Sequence, residues 1–237
     1  MTHSNDTSAI PDSDAVLQSW QDNAAPWTDS VREAKIASRT LVTNQAIVDA
    51  ILSFEPQRVL DLGCGEGWLS WQLAARHISV LGVDAIATLI EAAEKFIKPG
   101  HPPPHFRVLP YTEVPQELQG ETFDLIVCNF SLLDRDDVTR LLGAIPKLLT
   151  HDGVFLIQTL HPEFIGSPES RMDGWRSESW QGMGDGFRGQ APWYYRTLAS
   201  WRSLFTASQL LLCETLEPIH PVTGLPASII FVLQRAD

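Results

Sequence analysis

Cysteine is scarce in this chain: 237 residues hold three, Cys64, Cys128 and Cys213. They lie far apart beside apolar segments and form no CxxC. That excludes a disulfide framework and predicts reduced, buried thiols in a cytoplasmic protein. Basic residues are also few, with 17 Lys and Arg against 29 Asp and Glu and a formal charge of −12. They gather into no patch. An acidic surface repels phosphate backbones and anionic lipids, so neither a nucleic-acid nor a membrane partner is expected. No apolar run nears the ~20 residues that span a bilayer, and the opening MTHSNDTS does not read as a signal peptide. No pair of histidines stands with Cys, Asp or Glu at metal-ligand spacing, so no metal is expected. Neither a G-x-S-x-G nor a Cys–His arrangement argues for hydrolysis.

The 44% hydrophobic content is ample for a buried core. A small, polar, acidic stretch over 1–14 predicts a disordered tail ahead of a single domain over 15–237. Helices are expected over 15–55. Ser30 and Glu33 form a capping box that predicts a helix over 31–38. Ala46, Ile47, Ala50 and Ile51 recur at helical spacing and predict a second over 40–54, ended by Pro56. Beyond Pro56, short apolar runs alternate with helical periods. Strands are predicted over 58–62, 79–83, 106–109, 123–128 and 154–159, and helices over 67–76, 86–97 and 134–149, the last capped by one of its aspartates. Parallel strands need crossover connections, and near-continuous apolar strands need helices on both faces. The expected fold is therefore α/β, a doubly wound, mostly parallel seven-stranded sheet. Two final strands, 210–216 and 229–234, close it as an antiparallel, hairpin-like end.

Residues 161–201 break this rhythm with six of the 15 glycines, four of the eight tryptophans and two of the three tyrosines. They read as an irregular aromatic, glycine-rich insertion acting as a lid. Trp175, Trp180, Trp193, Tyr194, Tyr195 and Trp201 would supply its aromatic wall. His101, His105 and His151 read as loop residues. His161, after the fifth strand, is the histidine placed at a sheet terminus and is the candidate general base.

The sharpest signal is VLDLGCGEG over 59–67. A strand ends near Asp61, Gly63, Gly65 and Gly67 follow around Cys64, and a helix opens at Trp68. Such a turn lets backbone approach a ligand at the carboxyl ends of parallel strands. The spacing is G-x-G-x-G and not the G-x-G-x-x-G of a dinucleotide site. Asp61 would repel a pyrophosphate and attract an ammonium. Asp84 ends the next strand, VLGVD, 17 residues beyond Gly67, where a carboxylate accepts hydrogen bonds from both ribose hydroxyls. An amine at one end and a ribose at the other describe S-adenosylmethionine.

VLDLGCGEGWLSWQLA, VLGVDAIATLIEAA, FDLIVCNFSLLD and LLTHDGVFLIQTLHP resemble, in order, the motifs of class I S-adenosylmethionine-dependent methyltransferases over about residues 30–160. The resemblance implies a Rossmann-like fold and S-adenosylmethionine as cofactor. It implies that Asp61, Gly63 and Gly65 lie near the methionyl amine and carboxylate, with Cys64 and Gly67 in the same cofactor-binding turn. Asp84 would take the ribose, Ala85 and Ile86 would sit beside the adenine, and Asn129 and Phe130 beside the methionine portion. The N-terminal half resembles the ubiquinone-type O-methyltransferases, which implies that Arg39 reaches the cofactor carboxylate. Many relatives hold the adenine amine with an acidic residue after the third strand. Here LPYTEVP offers Tyr111 by stacking or Glu113 by substitution.

The expected reaction is in-line methyl transfer to an O- or N-nucleophile of a small molecule. Trp20, Trp27, Arg32, His161, Tyr194, Tyr195 and Arg196 are the candidate acceptor walls, in a monomer or homodimer. The alternatives are an RNA or protein methyltransferase, a same-fold enzyme such as a propylamine transferase, and a non-enzymatic module that binds the cofactor.

Overall fold

A computed structural model describes residues 11–97 and 100–236. In chain order the strands are β1 (Arg58–Leu62), β2 (Ser79–Asp84), β3 (His105–Val108), β4 (Phe123–Asn129), β5 (Leu149–Thr159), β6 (Gly174–Glu178), β7 (Ala191–Tyr195), β8 (Leu210–Leu216) and β9 (Ile229–Arg235). The helices are α1 (Ser13–Arg32), α2 (Asn44–Leu52), α3 (Trp68–Ala74), α4 (Ala87–Lys95), α5 (Val114–Glu117), α6 (Asp136–Leu148) and α7 (Leu198–Ala207). A π-helical turn, Arg39–Thr43, leads into α2.

Seven strands form one sheet in the order β3-β2-β1-β4-β5-β9-β8. β1 pairs in parallel with β2 and β4, β2 with β3, and β4 with β5, whereas β9 runs antiparallel between β5 and β8. The doubly wound sheet and its antiparallel end are as the sequence predicts. Strand side chains alternate between faces, so each strand feeds two apolar layers. Leu60, Ile126, Phe155 and Phe231 pack with Leu141 and Ile145 of α6 and with Trp201 and Phe205 of α7. Val59, Leu125, Leu156 and Val232 pack on the other face with Ile47 and Ile51 of α2 and Leu73 of α3. Each such side chain contributes ~1.5–3 kcal/mol on full burial. The order reverses between β1 and β4, and the carboxyl ends of strands at such a switch point form a crevice.

Several local expectations are corrected. The capping box at Ser30 does not form. Asp12 caps α1, accepting from Ala15 N at 3.0 Å, and Ser30 is a buried residue inside that helix. Helix 31–38 is absent because α1 runs to Arg32 and the chain then turns at Ala34, with φ +56°. Ser13 and Asp14, assigned to a disordered tail, form the first turn of α1, and the remainder of that tail over 1–10 lies outside the described residues. The start of α6 is held by an aspartate, as the sequence predicts: Asp134 Oδ1 accepts from Asp137 N at 2.6 Å, one residue ahead of the N-cap Arg135.

Residues 161–201 are not irregular throughout. β6 and β7 pair as an antiparallel hairpin, and Trp201 belongs to α7 in the core. The segment evades the alternation rule because its aromatics other than Trp201, which packs with Phe231 of β9, meet mainly one another and Trp20 of α1. Asn23 of α1 donates to Arg188 O at 3.0 Å and accepts from Arg188 N at 2.7 Å, and Ser19 donates to Gln190 O at 2.7 Å. These bonds hold the hairpin's connecting loop on α1. Cys213 is exposed, unlike buried Cys64 and Cys128, because β8 is an edge strand with a half-solvated face. His105 and His151 lie on β3 and β5, both exposed. Among the described residues no helix is long and apolar enough to cross a membrane.

Candidate active site

The turn after β1 is braced from below. Gly63 has φ +72°, and a Cβ there would come within 2.4 Å of the Ser131 Cβ, so only glycine fits. Ser131 Oγ donates to Leu62 O at 2.7 Å, and Tyr111 Oη donates to Leu62 O at 3.3 Å or Ser131 O at 3.2 Å. Tyr111 thus reaches under the turn, and Glu113 is exposed outside the cavity. At Gly65 a Cβ would point into open space, meeting only Trp27 Nε1 at 3.6 Å. Gly67 plays a different part from the other two. It lies outside the cavity, where a Cβ would collide with Ala93 and Phe106 at 2.8 Å.

A first chamber opens above this turn, with about 1100 Å³ of empty space, mouth included. Asp61, Gly63, Cys64, Gly65, Asp84, Ala85, Ile86, Tyr111, Asn129, Phe130 and Arg39 all line it. Asp61 is 1% exposed and accepts from Ser70 Oγ at 2.7 Å. Burial, with Glu66 and Asp84 nearby, pushes its pKa up to about 7. Asp84 Oδ2 accepts from Gly65 N and Oδ1 from Ile86 N, both at 2.9 Å. Burial raises its pKa to about 6 against those bonds. Burial also pushes the Cys64 and Cys128 thiols up, which keeps both protonated and inert.

Glu66 is a functional candidate that the sequence reading passed over as a spacer between two glycines. It is buried, and its Oε2 accepts from Trp27 Nε1 at 3.0 Å. Burial raises its pKa, opposed chiefly by Arg39. The Arg39 guanidinium lies 5.5 Å from the Trp27 ring and 5.4 Å from the Trp68 ring. Its Nε donates to Asn44 Oδ1 at 3.2 Å, which leaves the terminal nitrogens uncommitted by that bond. Two buried oxygens lining this chamber have no hydrogen-bond partner, Glu66 Oε1 and Asn129 Oδ1. Phe130 stands beside them with φ +55°, a strained backbone of the kind that collects at ligand sites.

A second chamber of about 1220 Å³ adjoins the first. Trp20, Trp27, Arg39, Phe130 and Leu133 line both, so they form a common wall. Beyond it the second chamber is aromatic: Trp180, Trp193, Tyr194, Tyr195 and Trp201, with Arg196 among them. Trp20 meets Trp27 and Trp180 edge to face, at 4.9 and 5.2 Å. Of the residues expected to wall the acceptor, Trp20, Trp27, Tyr194, Tyr195 and Arg196 are brought together here.

Arg32 and His161 are not. Arg32 is exposed, donates to Ala92 O at 2.7 Å and lines neither chamber. His161 is buried below the β5 terminus. Its Nδ1 accepts from Glu163 N at 3.2 Å, which leaves Nε2 protonated and donating to Glu217 Oε1 at 3.1 Å. With its lone pair occupied and its ring outside both chambers, His161 orders a loop and is not positioned as a base.

Comparison with known proteins bears on this geometry. The methyltransferase-domain family model matches residues 59–153. An uncharacterized methyltransferase of Mycobacterium tuberculosis is 30% identical over 156 residues, covering 66% of this chain and 75% of that protein. A ubiquinone biosynthesis O-methyltransferase of Bartonella quintana is 32% identical over 115 residues, covering 47% of this chain and 44% of that protein. Among solved structures, a Burkholderia thailandensis 1,6-didemethyltoxoflavin-N1-methyltransferase with 1,6-didemethyltoxoflavin and S-adenosylhomocysteine bound superposes with a TM-score of 0.63 at 22% identity. It covers 94% of this chain and 89% of its own. The magnesium protoporphyrin IX methyltransferase of Synechocystis superposes at 0.64 with 16% identity, covering 93% and 98%. At such identities the structures speak for the fold alone.

Proposed function

The chain belongs to the class I S-adenosylmethionine-dependent methyltransferases, and from that premise we propose that it methylates an O- or N-nucleophile of a small molecule held in the second chamber. The observation that carries this reading is the common wall: two cavities, one acidic at the glycine turn and one aromatic under the hairpin, share Trp20, Trp27, Arg39, Phe130 and Leu133.

The first chamber fits the donor. Its orphaned oxygens on Glu66 and Asn129 and its buried Asp61 and Asp84 favour a ligand rich in donors and positive charge. Asp84 would hold the ribose with the lone pairs its two backbone bonds leave. Asp61 would face the amine, and Arg39 with the Gly63–Gly65 backbone would face the carboxylate. When bound, S-adenosylmethionine supplies a methyl group on a cationic sulfur. Trp20, Trp27 and Phe130 surround that region with π faces, which stabilise a cation and exclude water.

The hairpin, tied to α1, acts as the chamber's lid. Holding both reactants in register is worth up to ~7–11 kcal/mol in favourable cases, so a dedicated base is not required. Labelled methyl uptake from S-adenosylmethionine into fractionated small-molecule extract tests the reading. Uptake into a small-molecule fraction is expected. Uptake only into RNA or protein fractions, or none from any, would overturn it.

A further inference from the structure

Among the residues lining the second chamber, the buried polar atoms left without a partner are both N–H donors, Arg196 Nη1 and Trp180 Nε1. Arg196 directly follows β7, is 4% exposed and lies between the rings of Tyr194 and Trp201, at 4.9 and 5.1 Å. Its Nη2 donates to Arg135 O at 2.8 Å. A carbonyl satisfies one N–H and neutralises no charge.

The nearby carboxylates are engaged elsewhere. Asp134 takes Ser13 Oγ and Asp137 N, Asp136 takes Arg135, and Asp173 takes Thr197 N. Among the described residues, Arg196 makes no ion pair, and Glu178, the carboxylate that lines this chamber, is exposed at the hairpin. Burying a guanidinium without a counter-charge is costly, and the fold has a surface where this cation could have stood in water. Desolvation accordingly lowers its pKa from the ordinary value.

We infer that the acceptor is an acid: a planar, apolar body carrying a carboxylate or similar anionic oxygen group, which docks on Arg196 and supplies the missing counter-charge. The inference deepens the methyltransferase reading and rests on it for the word acceptor. The aromatic faces of Trp180, Trp193 and Tyr194 suit the flat apolar part. Arg196 lines the second chamber and not the common wall. The anion is therefore the anchor, and the end of the molecule away from it meets the donor. An aromatic box alone would also suit a quaternary or primary amine, but a buried guanidinium within it repels one.

The full chain saturated with S-adenosylhomocysteine is titrated with 2-naphthoate, 2-naphthamide and 2-naphthylmethylamine, following quenching of tryptophan fluorescence. Naphthoate is expected to bind at least ten-fold more tightly than the amide, and the amine more weakly still. R196M should erase the preference for acid over amide, and R196K should keep part of it. Equal binding of acid and amide by the wild-type chain, or a preference for the amine, overturns the inference whether or not R196M folds. An undiminished preference for the acid in R196M does so too. Failure of S-adenosylhomocysteine to bind would instead count against the methyltransferase reading. The naphthoate preference can still be read without that ligand, so the two failures remain distinct.

Discussion

The two chambers share five residues and differ in the polar groups they leave unpaired. The first leaves buried oxygens unpartnered, on Glu66 and Asn129, and gathers the buried carboxyls of Asp61, Glu66 and Asp84, of which Glu66 faces Arg39. The second leaves buried N–H groups unpartnered, on Arg196 and Trp180, inside an aromatic wall. Orphaned buried polar atoms are rare in folded proteins, and each has a cause. Ser30 Oγ and Gln158 Oε1 line neither chamber, and the other four among the described residues divide between the two: oxygens in the first, N–H donors in the second. The common wall carries neither kind of orphan. Its π faces and the Arg39 guanidinium would stand between a cationic donor and the acidic acceptor inferred above.

The sharpest way to break that contrast is at Asp84, since its carboxylate both faces the first chamber and holds the turn through Gly65 N and Ile86 N. Asp84→Ala is expected to weaken S-adenosylhomocysteine binding at least ~100-fold, which at 100 wild-type Kd of ligand removes at least ~2.3 of the ~2.7 kcal/mol of stabilisation. It should also cost ~1–3 kcal/mol in the ligand-free protein through the two stranded N–H groups. Thermal-shift titration reads both effects, and naphthoate binding in the second chamber serves as the control. A full ligand-induced shift in the variant would show that the first chamber's polarity does not select its ligand.

A smaller effect follows from acidity. The Asp61 pKa stands at about 7 when folded, against an ordinary 3.8. The folded protein therefore holds more protons than the unfolded one between those values, and this group makes the empty protein less stable as pH rises from ~4 to ~7. At ~1.36 kcal/mol per pH unit the loss is up to ~4 kcal/mol. A ligand ammonium favours the ionised form, so affinity for S-adenosylhomocysteine should move in the opposite direction, rising about ten-fold from pH 6 to pH 8. Calorimetric titration across that range measures it, and Asp61→Asn should flatten the profile. Flat affinity in the wild-type chain would mean that Asp61 does not face a cation. No such slope is expected of naphthoate at Arg196.

The two chambers were also unequally legible in the sequence. The first is written locally: strand, glycine turn and helix are contiguous, and Asp84 ends the next strand at a fixed register, with Asp61 opposite Gly82. A motif can carry such a site because its parts are covalently near. Even so, Gly67 serves packing against Ala93 and Phe106, and Glu66 acquires its part through Arg39 and through Trp27, the latter 39 residues away along the chain. The second chamber is assembled from distant segments. Asn23 meets Arg188 and Ser19 meets Gln190, and nothing in local periodicity marks a hairpin that packs on a helix from the far end of the chain. Composition alone betrayed it, through the density of tryptophan, tyrosine and glycine. The helix at 31–38 failed for a related reason. Ser30 and Glu33 have capping spacing, but α1 arrives from upstream already helical, and its register buries Ser30.

His161 gives the smallest expected effect and the closest test of where the second chamber ends. Its position after β5 invites a catalytic role, yet Glu163 N occupies Nδ1, Nε2 faces Glu217, and Phe164 packs on the ring edge to face at 4.7 Å. A general base contributes ~10²–10⁴-fold to a rate, whereas a residue that orders a loop contributes to stability. His161→Gln should therefore leave kcat within about three-fold, measured on the acceptor fraction recovered by methyl uptake. It should lower stability by ~1–3 kcal/mol through the broken bonds, or about 2–4 °C in Tm per kcal/mol for a chain of this size. A hundred-fold fall in kcat with Tm unchanged would return His161 to the chemistry. It would also require the loop after β5 to swing the imidazole into the second chamber, beside an anion already held by Arg196.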